Sequence, residues 1–478
     1  MKKSKNSQIL AENLQNSVQN LSAKNDKSSQ NLAAKNVKFS GGNLDKNSQN
    51  LSENLREFKK DKNSQKTAEI LQNLSENSQI SNENSFKKRP KKRKTILLAV
   101  SGSIAFYKAY ELISVFKKEG FRVKVLLSDG VLKFATHLSF EALAHGVLSS
   151  KNESWASKKN HIAFSQNCDV VVFAPASVNS INKLAHGIAD NLFIQTLIAA
   201  KAPLIVAPAA NPRMLTHFST QNSLELLRKN GAVIVPPVCK SLACKELGAG
   251  GLAHIESIIA ATKRELFKDE FWRGKKVVVT GGGTREKIDE VRYIGNFSSG
   301  KMAKALVDAF FTLGASVTLL SSVRFENLPY ESAYFKGIDE LEALLKAHKN
   351  GDFLIMSAAV GDFCAAFHKG KLKKADFKKG LDLHLKPSKD LLKTCEFKGK
   401  KIGFKLEFDE KNAILNAKNS LKDKNLAMVC LNVANAQNQA FESDYNDITL
   451  ISQDFELNLG RQSKAELALE IARKCQEL

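Results

Sequence analysis

Three short segments of the chain combine small, polar and nucleophilic residues in patterns that suit anion binding and proton transfer. SGSIAFYK (101–108) sets a glycine between two serines at a strand-to-helix turn, where backbone N–H groups can approach a phosphate. APASVN (174–179) repeats this form at the end of a later apolar run. SLACKELGAGG (241–251) holds a cysteine in a glycine-rich loop, from which a thiol could exchange a proton with a substrate. Two such turns in one sheet predict a mononucleotide phosphate site, although each alone would be an ordinary tight turn.

The other candidates in this half of the chain are single polar residues beside apolar runs. His161 precedes the run at 169–174, and Asn211 lies at the end of another run. A lone histidine is usually a surface residue or a satisfied core residue, and Cys244 alone is as readily an inert cysteine. The chemistry of these three residues therefore depends on what the fold brings together.

A motif in the second half of the chain offers another anion site. VTGGGTREKIDEVRYIGNFSSGKMA (279–303) starts as an apolar strand and a glycine turn, which is typical of any nucleotide-binding α/β protein. Its end opens a helix predicted at 301–313, so that hydroxyls, free N–H groups and the helix dipole favour a phosphate there. The Walker A spacing is missing. The residues predicted to hold the phosphate are Ser298, Ser299, Gly300 and Lys301.

Further charged residues follow this motif. SAAVGDF (357–363) ends another apolar run with Asp362. GKLKK (370–374), KPSKDLL (386–392) and a helix predicted at 410–424 add lysines that could face a triphosphate. Taken singly, each of these lysines is better explained as a solvated surface residue.

Two series of apolar strands must position all these segments. The strands of the first series are TILLAV (95–100), RVKVLLS (122–128), DVVVFAPAS (169–177) and PLIVAPAAN (203–211). The second series begins at KKVVVTGGGT (275–284). Near-continuous apolar strands that alternate with helices predict parallel sheets covered on both faces, which bind ligands beyond the carboxyl ends of their strands. We therefore expect two α/β domains in series, at 93–272 and 273–478.

The N-terminal segment has a different composition. Residues 1–92 are dominated by Asn, Ser, Gln and Lys and repeat variants of QNLSEN at irregular spacing. Such a segment buries too little apolar area to offset the entropy of ordering, so we predict a disordered extension. Its basic end, KKRPKKRK (87–94), leaves two interpretations open: an arm that binds RNA or a protein partner, or a solvated extension.

Composition argues against several classes of protein. A formal net charge of +23 is not accompanied by an RNA-binding signature, so a nucleic-acid partner is not expected. No apolar run reaches the roughly 18 residues of a membrane-spanning helix, and the start of the chain lacks the apolar core of a secretory signal. Seven cysteines without a CxxC pair are not typical of a disulfide scaffold or a zinc ribbon, and they fit the reducing cytoplasm.

The first domain resembles the flavin-dependent cysteine decarboxylases, and within them the phosphopantothenoylcysteine decarboxylases. The segments that carry the resemblance, in order, are SGSIAFYK, NHI, APASVN, GIADNL (187–192), PAANPRM (208–214) and SLACKELGAG. It implies a flavodoxin-like fold that binds FMN, and trimers whose active sites lie between subunits. It also implies that His161 is the active-site histidine, that Asn211 binds the substrate carboxylate, and that Cys244 donates a proton from a flap. The predicted FMN contacts are Gly102, Ser103, Ser128, Ser177 and Asn179, and Met214 is a predicted substrate contact.

The flap and its surroundings depart from the family pattern. Ala210 stands where the family usually has Met, and Gly251 replaces a usual Arg. Lys245 and Glu246 follow Cys244 in place of Gly-Asp. These differences concern the contacts of the flap and leave its cysteine in place.

The second domain resembles the phosphopantothenate–cysteine ligases from about 275 to 455. TGGGTREKIDEVRYIGNFSSGKM carries most of the resemblance, and AAVGDF, KLKK, GFKLE and AFESDYN support it. It implies a Rossmann-like fold, dimers, and the use of CTP with Mg²⁺. It also implies that Asn296 contacts an acyl-cytidylate, that Ser298 to Lys301 hold the pantothenate phosphate, and that Asp362 reads the cytosine or ribose. The other predicted substrate and CTP contacts are Ser357, Ala358, Lys371, Ser388, Lys389, Asp390, Leu391, Phe404 and Lys424.

One departure affects the predicted triphosphate contacts. The family has a second lysine four residues before the one matched by Lys424, and Ser420 stands there in this chain. Lys418 or Lys422 could take its place.

Both families in this order resemble the bifunctional enzymes of coenzyme A biosynthesis. The ligase half would couple cysteine to 4′-phosphopantothenate at the expense of CTP, and the decarboxylase half would convert 4′-phosphopantothenoylcysteine to 4′-phosphopantetheine. Trimeric and dimeric symmetries together predict a dodecamer, located in the cytoplasm. Three alternatives remain: a decarboxylase of peptide C-terminal cysteines with a vestigial second domain, a basic nucleic-acid-binding protein, and an NAD(P)-dependent reductase built on TGGGT.

Overall fold

The computed structural model describes residues 93–241, 247–378, 380–434 and 443–478. Two predictions fall outside these ranges: the disordered extension at 1–92, with its two interpretations, and the proton donor Cys244. The structure confirms the predicted fold class, because the described residues form an α/β unit on a parallel sheet, followed by a second α/β unit on a mostly parallel sheet. In the part of the chain that the structure describes, no helix is both long enough and apolar enough to span a membrane.

The first sheet has six parallel strands in the order β3–β2–β1–β4–β5–β6. Its strands are β1 (Thr95–Val100), β2 (Arg122–Leu127), β3 (Val147–Leu148), β4 (Val170–Ala176), β5 (Leu204–Pro208) and β6 (Val233–Ile234). Alternate residues of β1 enter different cores: Ile96 and Leu98 pack on one face of the sheet, and Leu97 packs on the other. A strand covered on both faces needs an apolar residue at every position, which is why these runs were recognisable in the sequence.

Helices cover both faces of this sheet. They are α1 (Lys108–Lys118), α2 (His137–Glu141), α3 (His161–Ser165), α4 (Val178–Ala185), α5 (Leu192–Ala199), α6 (Pro212–Thr216), α7 (Phe218–Lys229) and α8 (Ile255–Phe267). The helix predicted after the first turn starts with a 3-10 turn, Ile104–Tyr107, that leads into α1. An antiparallel pair, β7 (Val238–Ser241) and β8 (Leu247–Gly251), leads into and out of the cysteine loop.

The second sheet has eight strands in the order β13–β12–β9–β14–β17–β18–β19–β20. Its strands are β9 (Lys276–Gly281), β12 (Ser316–Ser321), β13 (Glu331–Tyr334), β14 (Phe353–Met356), β17 (Lys400–Glu407), β18 (Met428–Val433), β19 (Tyr445–Ile451) and β20 (Glu456–Ser463). The last two strands are antiparallel to their neighbours. The sequence did not reveal β20, because a strand at the edge of the sheet alternates exposed and half-buried residues and carries no apolar run.

The remaining elements of this half surround the carboxyl ends of its strands or cover its faces. Two small hairpins pair β10 (Arg285–Lys287) with β11 (Tyr293–Gly295) and β15 (Phe363–Ala365) with β16 (Leu385–Pro387). The helices are α9 (Lys301–Thr312), α10 (Ile338–Ala347), α11 (Leu391–Thr394), α12 (Ala413–Asp423) and α13 (Lys464–Lys474).

An arginine of α8, in the first half of the chain, forms hydrogen bonds with the second half. The guanidinium of Arg264 donates hydrogen bonds to the carbonyls of Phe311, Gly314 and Ala315 at 2.6, 2.7 and 2.8 Å, and lies 4.6 Å from the Phe311 ring centroid. These carbonyls lie at the end of α9 and just beyond it, where a helix lacks enough N–H groups of its own to pair its last carbonyls. One side chain thus caps a helix of the other half.

We expect Arg264→Met to destabilise the protein, because the Gly314 and Ala315 carbonyls lose this donor and the Phe311 carbonyl keeps only backbone N–H donors. A loss of about 2–3 kcal/mol would lower the apparent melting temperature by about 5 °C or more. The matched control is Arg228→Met on α7, since within the described residues the Arg228 side chain forms an exposed ion pair with Glu225 and no other ion pair or hydrogen bond. Equal melting temperatures for the two variants in a thermal scan would contradict this prediction.

Candidate functional site

The carboxyl ends of the first sheet surround a cavity of about 870 Å³. It opens where the strand order reverses between β1 and β4, which is the point at which parallel α/β sheets bind ligands. Of the residues predicted to form the first site, those that line the cavity are Gly102, Ser103, Ser128, Ser177, Asn179, Asn211 and Met214. The structure thus brings together segments that lie more than a hundred residues apart in the chain.

Close backbone contacts explain the small residues at this edge. A Cβ atom on Gly102 would lie 2.9 Å from the backbone of Gly130, so the loops after β1 and β2 can meet only because neither carries a side chain there. The buried Ser101 hydroxyl donates to the Pro175 carbonyl at 2.8 Å and accepts from the Ser177 N–H at 2.7 Å. The turns after β1 and β4 are therefore held in one position.

The cavity contains a polar atom without a partner. The Ser128 hydroxyl oxygen is buried and has no hydrogen-bond partner among the described residues. Buried polar groups are nearly always satisfied, so this one is available to a ligand atom. By contrast, the Ser103 hydroxyl already donates to the Ala209 carbonyl at 3.1 Å.

The strand and loop after β5 form another wall. Asn211 begins α6, and its side-chain oxygen accepts from the Arg213 N–H at 2.9 Å. Met214 follows on the same helix and is 52% exposed, although it lines the cavity. Both residues are held by a helix start, which orients them in advance of ligand binding.

Lys240 lines the cavity and was missed in the sequence. Burial and the nearby charge of Lys108 lower the pKa of Lys240, which is the direction expected of a cation held away from water. Its only sequence signal is its place just before the cysteine loop. A cation at this position adds to the suitability of the cavity for an anionic ligand.

His161 does not line this cavity. It begins α3, whose N-terminus is capped by Asn160 through a 2.9 Å bond from the Ala163 N–H. Its Nδ1 atom is buried and has no hydrogen-bond partner in the described ranges; a carboxylate oxygen of Glu153 lies 3.8 Å away. The Trp155 ring stands perpendicular to the imidazole at 5.6 Å. Within one chain, the predicted histidine and the predicted cofactor site are therefore separate.

In the second half, Ser357, Ala358 and Asn296 meet at the equivalent point, beside the ends of β9 and β14. The Ser357 hydroxyl donates to the Thr280 carbonyl at 2.6 Å, and the Ala358 N–H donates to the Thr280 hydroxyl at 3.2 Å. A Cβ atom on Gly283 would lie 2.3 Å from the Asn296 carbonyl oxygen, so the glycine turn leaves room for that residue. The exposed Asn296 side chain donates to the Val360 carbonyl at 3.2 Å.

The predicted phosphate segment opens α9 as expected. Gly300 is buried with φ +70°, a left-handed conformation that favours glycine, and Ser298 and Ser299 before it are half-buried. The Lys301 ammonium lies 2.7 Å from a carboxylate oxygen of Asp444. That ion pair was not predicted, although AFESDYN contains Asp444.

The loop after β15 and β16 contributes the remaining neighbours. The Ser388 N–H donates to the Asp362 carbonyl at 2.9 Å, and the Ser388 hydroxyl donates to the Gly361 carbonyl. Lys389 pairs with Glu342 at 2.9 Å, outside the strand ends. Asp362 itself is exposed.

Two predicted residues form an ion pair. The Lys424 ammonium lies 2.8 Å from a carboxylate oxygen of Asp390, whose other oxygen caps α11 through the Lys393 N–H at 3.1 Å. Burial raises the pKa of Asp390, but the bonds from Lys424 and Lys393 outweigh it and leave the pKa below its usual range. The carboxylate therefore stays charged near neutral pH and orients Lys424.

The other predicted residues differ in burial. Leu391 is buried, Phe404 is half-buried on β17, and Lys371 is exposed. Near Ser420, Lys418 pairs with Glu456 of β20 at 2.9 Å, whereas Lys422 is exposed in the last turn of α12. The structure thus gives Lys418 a partner other than a nucleotide.

Two family models match the chain: Flavoprotein over residues 84–267, and DNA/pantothenate metabolism flavoprotein C-terminal domain over residues 272–478. The coenzyme A biosynthesis bifunctional protein CoaBC of Bacillus subtilis (strain 168) is 35% identical over 394 residues, which are 80% of this chain and 96% of that protein. The protein of the same name from Vibrio vulnificus (strain YJ016) is 31% identical over 399 residues, or 80% and 98% of the two chains. A solved PPC decarboxylase mutant complexed with pantothenoylaminoethenethiol is 31% identical and covers 36% of this chain and 97% of its own, with a TM-score of 0.33.

Proposed function

The chain belongs to the family of the coenzyme A biosynthesis bifunctional proteins, and from this premise we propose how its residues divide the work. It is a bifunctional enzyme with phosphopantothenoylcysteine decarboxylase and phosphopantothenate–cysteine ligase activities. The observation that carries the division is that the predicted residues gather at two separate strand-reversal points, one in each sheet. We assign the decarboxylase to 93–272 and the ligase to 273–478.

The cavity of the first sheet fits FMN. Its size suits a ligand of that class, the turns after β1 and β4 line it, and the unpartnered Ser128 hydroxyl offers a hydrogen bond. Gly102 and Ser103 would hold the phosphate end, with Ser177 and Asn179 on the neighbouring turn. When bound, FMN supplies reversible hydride transfer, which makes a cysteine derivative able to lose CO₂.

The residues of this half would bind the substrate and manage its protons. Asn211, fixed at the start of α6, would hold the substrate carboxylate, with Met214 against its apolar part. Cys244, outside the described residues, would return a proton to carbon after CO₂ has left.

His161 would reach the cavity of a neighbouring subunit. It is separate from the cavity of its own chain, and its side chain is 24% exposed, which leaves the imidazole accessible to a second copy. We propose a trimer through this contact and, with a dimer through the ligase half, a dodecamer.

We expect Cys244 to remain a neutral thiol near pH 7, because a proton donor must hold its proton. Alkylation followed by peptide mass spectrometry should show its reactivity rising with pH around the ordinary thiol pKa of about 8.5. Burial raises the pKa of Cys168 to about 11 and also raises that of Cys395, which limits background labelling, while the exposed Cys239 is the reference thiol. Full reactivity of Cys244 below pH 7 would contradict this role.

In the ligase half, the start of α9 would bind the phosphate of 4′-phosphopantothenate. Ser298, Ser299 and Gly300 offer N–H groups and hydroxyls there, and Lys301 lies beside them. Asn296 would contact the acyl-cytidylate that forms when the carboxylate attacks the α-phosphorus of CTP and releases pyrophosphate. The cysteine amine then attacks the activated carbonyl.

The CTP contacts would come from the strand ends and loops beside this site. The residues that we place there are Ser357, Ala358, Asp362, Lys371, Ser388, Lys389, Asp390, Leu391, Phe404 and Lys424. The described residues hold no group of three or more His, Cys, Asp or Glu side chains suited to a metal ion. Mg²⁺ keeps most of its waters and commonly binds through substrate phosphates, so we propose that CTP carries it.

Two broader proposals concern location and partners. The six cysteines that the structure describes are free thiols, which supports a reducing, cytoplasmic location. The substrates would be the small molecules 4′-phosphopantothenate, cysteine and CTP, with no role for nucleic acid.

The test is product mass spectrometry of the purified protein with 4′-phosphopantothenate, cysteine, CTP and Mg²⁺. We expect 4′-phosphopantetheine only when CTP is present. Accumulation of 4′-phosphopantothenoylcysteine would support the ligase assignment and contradict the assigned decarboxylase residues. Absence of any product would favour the peptide decarboxylase or the reductase.

A further inference from the structure

A buried carboxylate lies between two segments of the ligase half. Asp289 is fully buried in the turn between β10 and β11. One carboxylate oxygen accepts from the N–H groups of Val291 and Arg292 at 2.7 and 2.6 Å. The other accepts from the Leu372 N–H at 3.1 Å and from the Arg292 guanidinium. Burying a charge is costly unless it is paired and hydrogen-bonded, and these four donors meet that requirement.

The bonds of Asp289 join parts of the chain that are more than eighty residues apart. The first pair of donors belongs to its own turn, and the Leu372 N–H belongs to a segment, 368–372, that crosses over the turn. Two further bonds follow the same path: the His368 N–H donates to the Ile288 carbonyl at 2.9 Å, and the Arg292 guanidinium donates to the Leu372 carbonyl at 3.0 Å. The Asp289 carboxylate accepts bonds from both the turn and segment 368–372 and so links the two.

Each joined segment carries a residue of the proposed ligase site. Lys371 directly precedes Leu372, and β11 ends at Gly295, next to Asn296. The Lys371 side chain is exposed and makes no ion pair within the described ranges, so its position depends on the backbone beside it. That backbone is held by Leu372, which is buried and bonded on both its N–H and its carbonyl.

We propose that Asp289 is a positioning residue of the ligase, which places Lys371 relative to Asn296 so that both meet the same nucleotide. This rests on the proposed ligase function. Asp289 touches neither substrate nor nucleotide in this assignment and acts through Lys371. The bonds to Asp289 also hold its pKa below the usual range despite the effect of burial, so that the acceptor stays charged near neutral pH.

Two substitutions distinguish positioning of Lys371 from simple stabilisation of the turn between β10 and β11. Asp289→Asn keeps the side-chain size but replaces one acceptor oxygen by a donor, which cannot accept from Leu372. Asp289→Ser keeps an oxygen for the N–H groups of its own turn but is too short to reach Leu372, and it serves if the first variant does not fold. The control is Asp308→Asn on α9, a partly buried carboxylate that accepts from Tyr330 at 2.8 Å.

The experiment measures initial rates of ligation by the full-length enzyme as CTP is varied, with each variant alone and combined with Lys371→Ala. We expect Asp289→Asn and Asp289→Ser to raise the KM for CTP about tenfold with kcat changed less than about threefold. We expect no further rise when Lys371 is already alanine, because residues that act through one another are not additive. Asp308→Asn should leave the KM unchanged.

Several results would overturn the inference. A KM for CTP equal to that of the wild type in both Asp289 variants would do so. Effects of Asp289 and Lys371 that multiply would show that Asp289 does not act through Lys371. A wild-type enzyme that makes no 4′-phosphopantothenoylcysteine with CTP would instead refute the proposed ligase and this inference with it, so the two failures are distinct.

Discussion

Replacing His161 by asparagine should lower the rate of decarboxylation at least about a hundredfold, the usual contribution of a positioned acid or base. Ligation should continue at the wild-type rate, so 4′-phosphopantothenoylcysteine should accumulate when all substrates are supplied. The expectation follows because the imidazole is partly exposed, lies apart from the cavity of its own chain and would complete the cavity of another subunit in the proposed trimer. Product mass spectrometry over time measures both rates in one reaction.

The control for this prediction is His217→Asn. His217 is exposed and begins α7, where asparagine caps a helix equally well. Co-expression of the His161→Asn and Asn211→Ala chains offers a second check. If each decarboxylase site takes these two residues from different subunits, roughly a quarter of the sites in the mixed oligomers should be intact and active. No recovery in the mixed protein would place both residues in one chain and contradict the trimer.

Substituting Gly283 by alanine should lower the rate of ligation about a hundredfold or more. The new Cβ atom would lie 2.3 Å from the Asn296 carbonyl oxygen, so the segment that carries Asn296 must move. A displacement of about 1 Å in an active site costs on the order of a hundredfold in rate. Decarboxylation of supplied 4′-phosphopantothenoylcysteine should not change, since the first sheet is untouched.

Gly146→Ala is the matched control for this substitution. Its added methyl group would meet nothing closer than the Phe164 ring at 3.8 Å, an ordinary contact. Both rates should remain within about twofold of the wild type. Ligation at the wild-type rate in Gly283→Ala would show that the position of Asn296 does not limit the reaction.

The sequence predicted those parts of the molecule that depend on local pattern. Strands β1 and β4 are buried on both faces, and their near-continuous apolar runs revealed them. The turns after β1 and β4 lie at the carboxyl ends of parallel strands in one sheet. The topology therefore predicts that both turns border the same cavity. The resemblance to known families supplied the roles of single residues, which no spacing could give.

The parts that the sequence did not reveal depend on contacts between distant segments. Nothing near Asp289 indicates that it accepts from Leu372, and nothing near Lys301 indicates the ion pair with Asp444. Lys240 is a candidate ligand-binding residue because its side chain lines the cavity, which the sequence alone does not indicate. The sequence likewise does not indicate that His161 lies apart from the cavity of its own chain.

The Arg264 contact bears on how such a protein could arise from, or return to, two separate genes. If the two halves were separate chains that did not associate, the guanidinium would lose its three acceptors and the ring of Phe311 would lose this cover. Gene fission would therefore select for compensating changes on both products, a shorter residue at 264 and a polar one at 311. The present pair of residues makes the stability of each half depend on the presence of the other.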